Sequence, residues 1–271
     1  SVDLVAGACL QSATRQAPHH AKAQLRWGHW CYRQGCAQLK AISRGEVAVE
    51  LTPDELRAVE ALQAQHFPAP LATSAAVRSQ LCALLAYHER MGGEDAGAMD
   101  QSDQAAAEER ELMRKFHEIF LQGAASSLAA AAAASAGADG EPAEEAAARA
   151  TAAASSSLLE LWRGIRQRLL LPLRTAVRAY FGHLRLAAEQ GGETATAAVP
   201  LRLLRLLLKH GEELATEFDA GLARAPARAW RGVVPQLLAR LAHPEPSVRQ
   251  HVKALLVSIG SSLPQLVLYP V

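Results

Sequence analysis

The sequence predicts an all-α protein: an α-solenoid of TPR/HEAT-like helical hairpins carrying a disordered, Ala-rich insertion. Three observations support that class. Of 271 residues, 57 are Ala and 39 are Leu, both strong helix formers. Aromatic residues are only 5% and no run alternates β-branched with polar residues, which excludes a β-sandwich or barrel. Finally, large apolar residues recur at steps of three and four outside one low-complexity block.

The first ninety residues read as helical hairpins. From Ala21 to Lys40, Leu25, Trp27, Trp30, Cys31 and Leu39 fall mainly three or four apart, predicting a helix interrupted or closed at Gly35 with its tryptophans in the core. Thr52 can cap, Pro53 suits the first helical position and Glu55 completes a capping box, so a helix starts there and ends before His66-Phe67-Pro68. A third helix, roughly 73–90, carries Val77, Leu81, Leu84, Leu85 and His88.

Charge is segregated along the chain. Residues 1–90 hold nine basic and seven acidic side chains, net +2; 91–157 hold four and twelve, net −8; 158–271 hold fifteen and eight, net +7. The middle block also contains the run Ala129–Ala134 and the stretch Gly137–Pro142. It buries too little large apolar surface to offset the entropy of ordering, and 91–157 is expected to be an acidic, Ala-rich low-complexity insertion, mobile at 91–105 and at about 123–155. Leu112, Phe116 and Phe120 at four-residue spacing predict one docked helix within it, at 106–122.

Residues 158–271 read as HEAT-like repeats. Leu158, Trp162, Ile165, Leu169, Leu173, Val177, Tyr180 and Leu184 form one stripe, and Pro172 inside it predicts a kink or two helices meeting at 171–172. The six Arg of 158–189 are expected on a solvated face. Pro200 opens a helix with Leu204, Leu207, Gly211, Leu214 and Phe218 on one face, where Gly211 lets a neighbouring backbone approach. Trp230–Leu241 reads as one helix, followed by a capped turn from His243 to Arg249. A second helix carries Val252, Leu255, Leu256 and Ile259 and ends at Gly260, and a further one starts at Leu263-Pro264. Helix, Pro-bearing turn and helix is the pattern of a HEAT-type repeat, which buries its face only when stacked.

No catalytic constellation is present. The sequence has no Gly-rich phosphate loop ending in Lys-Ser/Thr, no Gly-x-Ser-x-Gly elbow and no His-Glu-x-x-His. Adjacent acids such as Glu144-Glu145 and Glu212-Glu213 do not face one another on a helix and are expected as solvated charges. Cys31 and Cys36 near His29 lack the second pair a zinc site needs, and His19-His20 reads as an exposed loop pair. Cys9, Cys31, Cys36 and Cys82 fit no disulfide framework and suit a reducing compartment. The catalytic, cofactor-binding and metal-binding residue sets are therefore all expected to be empty. With no long apolar run and no basic-then-apolar leader, the chain is expected to be soluble, without a signal peptide, and cut from something longer.

Several stretches carry a resemblance. Trp230–Pro244 and Leu266–Pro270 resemble the FAT domain of phosphatidylinositol-3-kinase-related kinases. Leu201–His210, Ala179–Leu184 and Val248-Arg249-Gln250 bring the likeness nearer the kinase of nonsense-mediated mRNA decay than the rapamycin-target kinase, and Lys22–Trp27 with Trp30-Cys31-Tyr32 look like the preceding FAT helix. Pro172 departs from the family pattern. The resemblance implies a parent serine/threonine kinase that uses ATP with Mg or Mn to phosphorylate a decay-pathway RNA helicase, with this segment a scaffold free of catalytic residues. It implies partners that are proteins, namely the kinase domain in cis, that helicase and regulatory subunits, with no direct nucleic acid and no membrane. It also implies a cytoplasmic location, with the nucleus as a second one. The alternatives are a FAT segment of the rapamycin-target kinase and a stand-alone HEAT-repeat adaptor.

Overall fold

A computed structural model describes residues 2–66, 156–157, 160–191, 197–243 and 245–268, and every regular element among them is helical. The described residues are all-α, as the composition predicts. In order these are α1 (Val2–Gln16), α2 (Ala21–Ser43), α3 (Pro53–His66), α4 (160–169), α5 (Leu171–Glu189), α6 (Ala198–His210), α7 (Ala215–Leu222), a 3-10 helix (Ala227–Val233), α8 (Val234–Leu238), α9 (Pro246–Ser262) and α10 (Gln265–Leu268). The predicted helix at 73–90, the one at 106–122 and all of the insertion up to residue 155 lie outside the described residues.

The described residues divide into two units, one holding 2–37 and those from 170 onward, the other 38–66 and those between 156 and 169. The second unit buries Leu39, Ile42, Val49, Val59, Trp162, Ile165 and Leu169. Its α3 begins as the sequence predicts. The Thr52 N–H donates to Glu55 Oε2 at 2.8 Å, and the Glu55 N–H donates to Thr52 Oγ1 at 3.2 Å, satisfying two N-terminal amides reciprocally. Arg168 on α4 then grips the same carboxylate with Nε at 2.8 Å and Nη2 at 2.9 Å, while Nη2 also donates to the Glu50 carbonyl. Burial raises the Glu55 pKa, but the Arg168 and Thr52 hydrogen bonds outweigh it and hold the group below its ordinary value.

The first unit is built around α5, which buries Leu173, Ala176, Val177, Ala179, Tyr180, Phe181, Leu184 and Leu186. Antiparallel α2 packs on it, with Gly35 facing Leu173, Gly28 facing Tyr180 and Gly182 facing Gln24. On another side α7 runs parallel to α5, with Glu217 beside Arg178 and Gly221 under the Phe181 ring. The α6 helix buries Leu203, Leu204, Leu206 and Leu207, and α9 buries Val248, Val252, Leu255, Leu256 and Ile259. The stripe predicted from Trp162 to Leu184 is buried at every described position.

Five sequence expectations need correction. First, α2 runs unbroken through Gly35, because that glycine is held by packing against Leu173, and its tryptophans are half-buried, stacked with ring centroids 5.3 Å apart. Second, the helix after Pro200 is two, α6 and α7, joined by a turn at 211–214, and it starts at Ala198. Gly211 approaches the Val248 side chain rather than a neighbouring backbone. Third, Trp230–Leu241 splits at Val233 into a 3-10 helix and α8, since Pro235 has no N–H with which to continue a helix from before it. Fourth, α9 passes Gly260 and ends at Ser262. Fifth, the six Arg of 158–189 are a solvated face only in part: Arg163, Arg178 and Arg185 are exposed, but Arg166 is buried against the Trp162 ring, and Arg168 and Arg174 are part-buried beside Glu55 and Glu217. The break at Pro172 falls where predicted, with Leu170 as N-cap of α5. The turn before α9 is capped by Glu245, which accepts from the Ser247 N–H.

Two glycines give opposite expectations. A Cβ on Gly221 would stand 2.1 Å from Phe181 Cδ2, whereas one on Gly164 meets nothing within 4 Å. Gly221→Ala is expected to destabilise by about 1–3 kcal/mol through overpacking. Gly164→Ala, in a helix interior, is expected to stabilise by about 0.5–1 kcal/mol. Urea unfolding of the two variants measures both.

Candidate functional site

Two polar clusters flank α5, and the sequence places each. Arg174, Arg178 and Arg185 recur at steps of four and seven, which puts them on one helical face. The α7 helix meets that face with Glu217, an acid set among Leu214, Phe218 and Gly221 on the buried side. Arg178 Nη2 donates to Glu217 Oε1 at 2.7 Å, and Arg174 Nε lies 3.4 Å from the same oxygen without completing a hydrogen bond. Arg174 Nη2 also donates to the Glu213 carbonyl at 3.1 Å. The Glu217 side chain is 3% exposed and its Oε2 finds no hydrogen-bond partner among the described residues. One buried carboxylate oxygen thus serves two cations while its twin serves none. Beside it, α5 and α7 enclose a cleft of about 330 Å³.

The second cluster sits where α2, α5 and α6 meet. Tyr180 is fully buried, with His29 edge-on at 5.6 Å and Tyr32 at 6.3 Å between ring centroids. Arg202 from α6 lies over the Tyr32 ring at 5.4 Å and donates to the Tyr180 hydroxyl at 3.3 Å. Burial pushes the Tyr180 phenol up to about 12 despite Arg202, so it stays protonated. His29 is pushed below its ordinary value by burial first, then by Arg202, His183 and Arg33. His183 is lowered too, by burial, although its Nδ1 lies 3.0 Å from the Ala21 carbonyl. These groups lock α2, α5 and α6 together.

The residues weighed in the sequence fall as follows. Cys31 is buried, with a thiol pushed up to about 12 by burial; Cys36 is half-buried and Cys9 exposed, while Cys82 lies outside the described residues. Among the described residues no three of His, Cys, Asp and Glu converge as metal ligands. His19 and His20 are exposed, and His20 Nδ1 accepts from the Ala23 N–H at 3.2 Å, capping α2. Glu213 is engaged through its carbonyl, and Glu144-Glu145 lie outside the described residues. Sequence reading missed Glu217, although an acid on the apolar face of a short helix already demands a buried cationic partner.

The Glu217 cluster and the buried histidines predict separable effects. Glu217→Ala leaves the part-buried Arg174 uncompensated and is expected to cost about 2–4 kcal/mol. Arg178→Ala, at a side chain 68% exposed, costs under about 1 kcal/mol. Because His29 and His183 have lowered folded pKa values, the unfolded chain takes up protons first as pH falls. Their contribution is complete above the ordinary histidine value and is lost below it. Melting temperature is therefore expected to fall between about pH 7.5 and about pH 5, and less so in His29→Phe, which keeps a ring against Tyr180.

No family model matches the chain. Curated relatives do. Serine/threonine-protein kinase SMG1 of Danio rerio is 29% identical over 99% of this chain, which spans 7% of that relative. Smg1 of Drosophila melanogaster is 26% identical over 96% of the chain and 8% of the relative. Serine/threonine-protein kinase TOR of Arabidopsis thaliana is 33% identical over 35% of the chain and 4% of the relative. The chain spans less than a tenth of the length of these relatives. It is homologous, over nearly all its own length, to a segment of SMG1 kinases and, over a shorter stretch, to TOR kinases, in keeping with its resemblance to phosphatidylinositol-3-kinase-related kinases.

Proposed function

We propose that the chain is a FAT-type scaffold segment of a serine/threonine-protein kinase that acts in nonsense-mediated mRNA decay by phosphorylating an RNA helicase. The match to SMG1 over 99% of this chain and only 7% of the relative carries that reading. The geometry agrees with a supporting role. Glycines seat aromatic rings, a buried carboxylate ties α5 to α7, and Arg202 ties α6 to two tyrosines; these features hold helices in register. In the parent, stacked HEAT-like hairpins of this segment would hold the kinase domain in cis, with the helicase and regulatory subunits as protein partners. ATP with Mg or Mn belongs to that kinase domain. A cytoplasmic location with a nuclear pool, and no direct contact with nucleic acid, follow from the same reading. The TOR of Arabidopsis thaliana matches 35% of the chain, against 99% and 96% for the SMG1 kinases of Danio rerio and Drosophila melanogaster, which ranks the rapamycin-target kinase second.

The purified 271-residue chain is expected neither to retain ATP nor to phosphorylate a helicase substrate, whereas the transcript is expected to encode a kinase domain beyond Val271. Phosphoryl transfer by the chain alone, or a stop codon directly after it, overturns the proposal, the latter in favour of a stand-alone adaptor.

A further inference from the structure

The cleft between α5 and α7 has a rim that internal packing does not explain. Its floor is Phe181, Gly182, Ala220 and Gly221, with the Phe181 ring packed over Gly221 and the small, exposed Ala220 beside it. Arg178, Arg185 and Arg224 rim it, against Glu217 as the single carboxylate in the lining. Only Arg178 is committed to that carboxylate, at 2.7 Å. Arg185 pairs with Glu189 one turn along its own helix, both side chains largely exposed, an interaction that exchanges readily for another. The Arg224 side chain has no hydrogen bond or ion pair among the described residues, and neither has the Thr216 hydroxyl at the other end. An apolar floor bounded by uncommitted guanidiniums favours an occupant that is apolar in the middle and anionic at its flanks.

The volume of about 330 Å³ suits one large side chain with its adjoining backbone rather than a folded domain. A small inorganic anion matches the rim but leaves the Phe181–Ala220 floor in water. Single-stranded nucleic acid binds along a groove that tracks several nucleotides, longer than a cleft of about 330 Å³.

We propose that this cleft docks an acidic peptide segment, setting one large apolar side chain on the Phe181–Ala220 floor while flanking carboxylates engage Arg185 and Arg224. Guanidinium and carboxylate pair in a planar, two-point geometry, which gives such a segment a defined direction along the cleft.

The test uses the 271-residue chain and a fluorescein-labelled glutamate-rich peptide with one central phenylalanine, read by anisotropy. Saturable binding that weakens as salt rises is expected. Arg224→Glu is expected to weaken it by roughly tenfold or more, and Arg185→Glu similarly, because charge reversal at an interface repels the ligand. Ala220→Phe fills the floor from an exposed position and is expected to abolish binding, with circular dichroism and melting temperature checking that each variant stays folded. Replacing the peptide's phenylalanine by alanine is expected to weaken binding comparably. The proposal fails if the peptide does not bind, if the arginine reversals leave affinity unchanged, or if the alanine peptide binds equally well. It fails too if pyrophosphate or single-stranded RNA displaces the peptide at the concentration at which unlabelled peptide does.

Discussion

The first unit depends on the register between α2 and α5. Leu173 and Tyr180 lie seven residues apart on α5, and Gly35 and Gly28 lie seven apart on antiparallel α2, so each large side chain seats where a glycine leaves room. A Cβ on Gly35 would stand 2.6 Å from Leu173, and one on Gly28 would stand 2.9 Å from Tyr180. Sliding one helix by a turn would bring Tyr180 opposite Gln24 or Tyr32, where no such room exists. Two glycines therefore admit one alignment. That alignment in turn sets the Tyr180 hydroxyl under Arg202.

The same logic assigns a purpose to Glu217. A buried carboxylate paired with arginines is an uncertain source of net stability, because desolvating the charges offsets much of their attraction. Here the pairing is also uneven, since Oε1 faces both guanidiniums and Oε2 faces none among the described residues. A hydrophobic residue of similar size would bury as much area without that cost. What the charge adds is position along α5. Arg174 and Arg178 are one turn apart, and only with α7 drawn alongside them does the Phe181 ring lie over Gly221. The two fixings reinforce each other, one steric and one electrostatic, and both concern register rather than affinity between helices.

These two devices also explain what was legible in the sequence. Buried stripes such as Ile165, Leu169, Leu173, Val177 and Tyr180 are written in the spacing of large apolar residues, and burial follows that spacing directly. The Thr52–Glu55 capping box is legible for the same reason, its cause lying within four residues. Glycine is ambiguous on this footing. It lowers helix propensity wherever it stands, but Gly35 and Gly260 lie inside helices, and at Gly35 local propensity is outweighed by packing against Leu173 that the local sequence does not display. Pro172 and Pro235 are clearer signals, since a missing N–H cannot be restored by any neighbour. The partners of Arg168 and Arg178 were missed because they are distant in sequence: Glu55 is 113 residues from Arg168 and Glu217 is 39 from Arg178.

The fate of those arginines bears on the charge of the carboxyl-terminal block. A net +7 over 158–271 suggests a basic surface, and a basic surface suggests a polyanion. But net charge counts side chains without asking what they are doing. Arg166 is spent on Trp162, Arg168 on Glu55, Arg174 and Arg178 on Glu217, Arg202 on two tyrosines, and Arg228 and Arg249 donate to the Ala188 and His243 carbonyls. Arginine suits all of these tasks because its planar fork reaches rings, carboxylates and carbonyls alike and stays charged when partly buried. Much of the block's charge is therefore structural, holding helices in place from within. Arg163, Arg231, Arg240 and Lys253 stay exposed away from the cleft, so the block keeps positive charge on its surface beside the arginines that hold its helices.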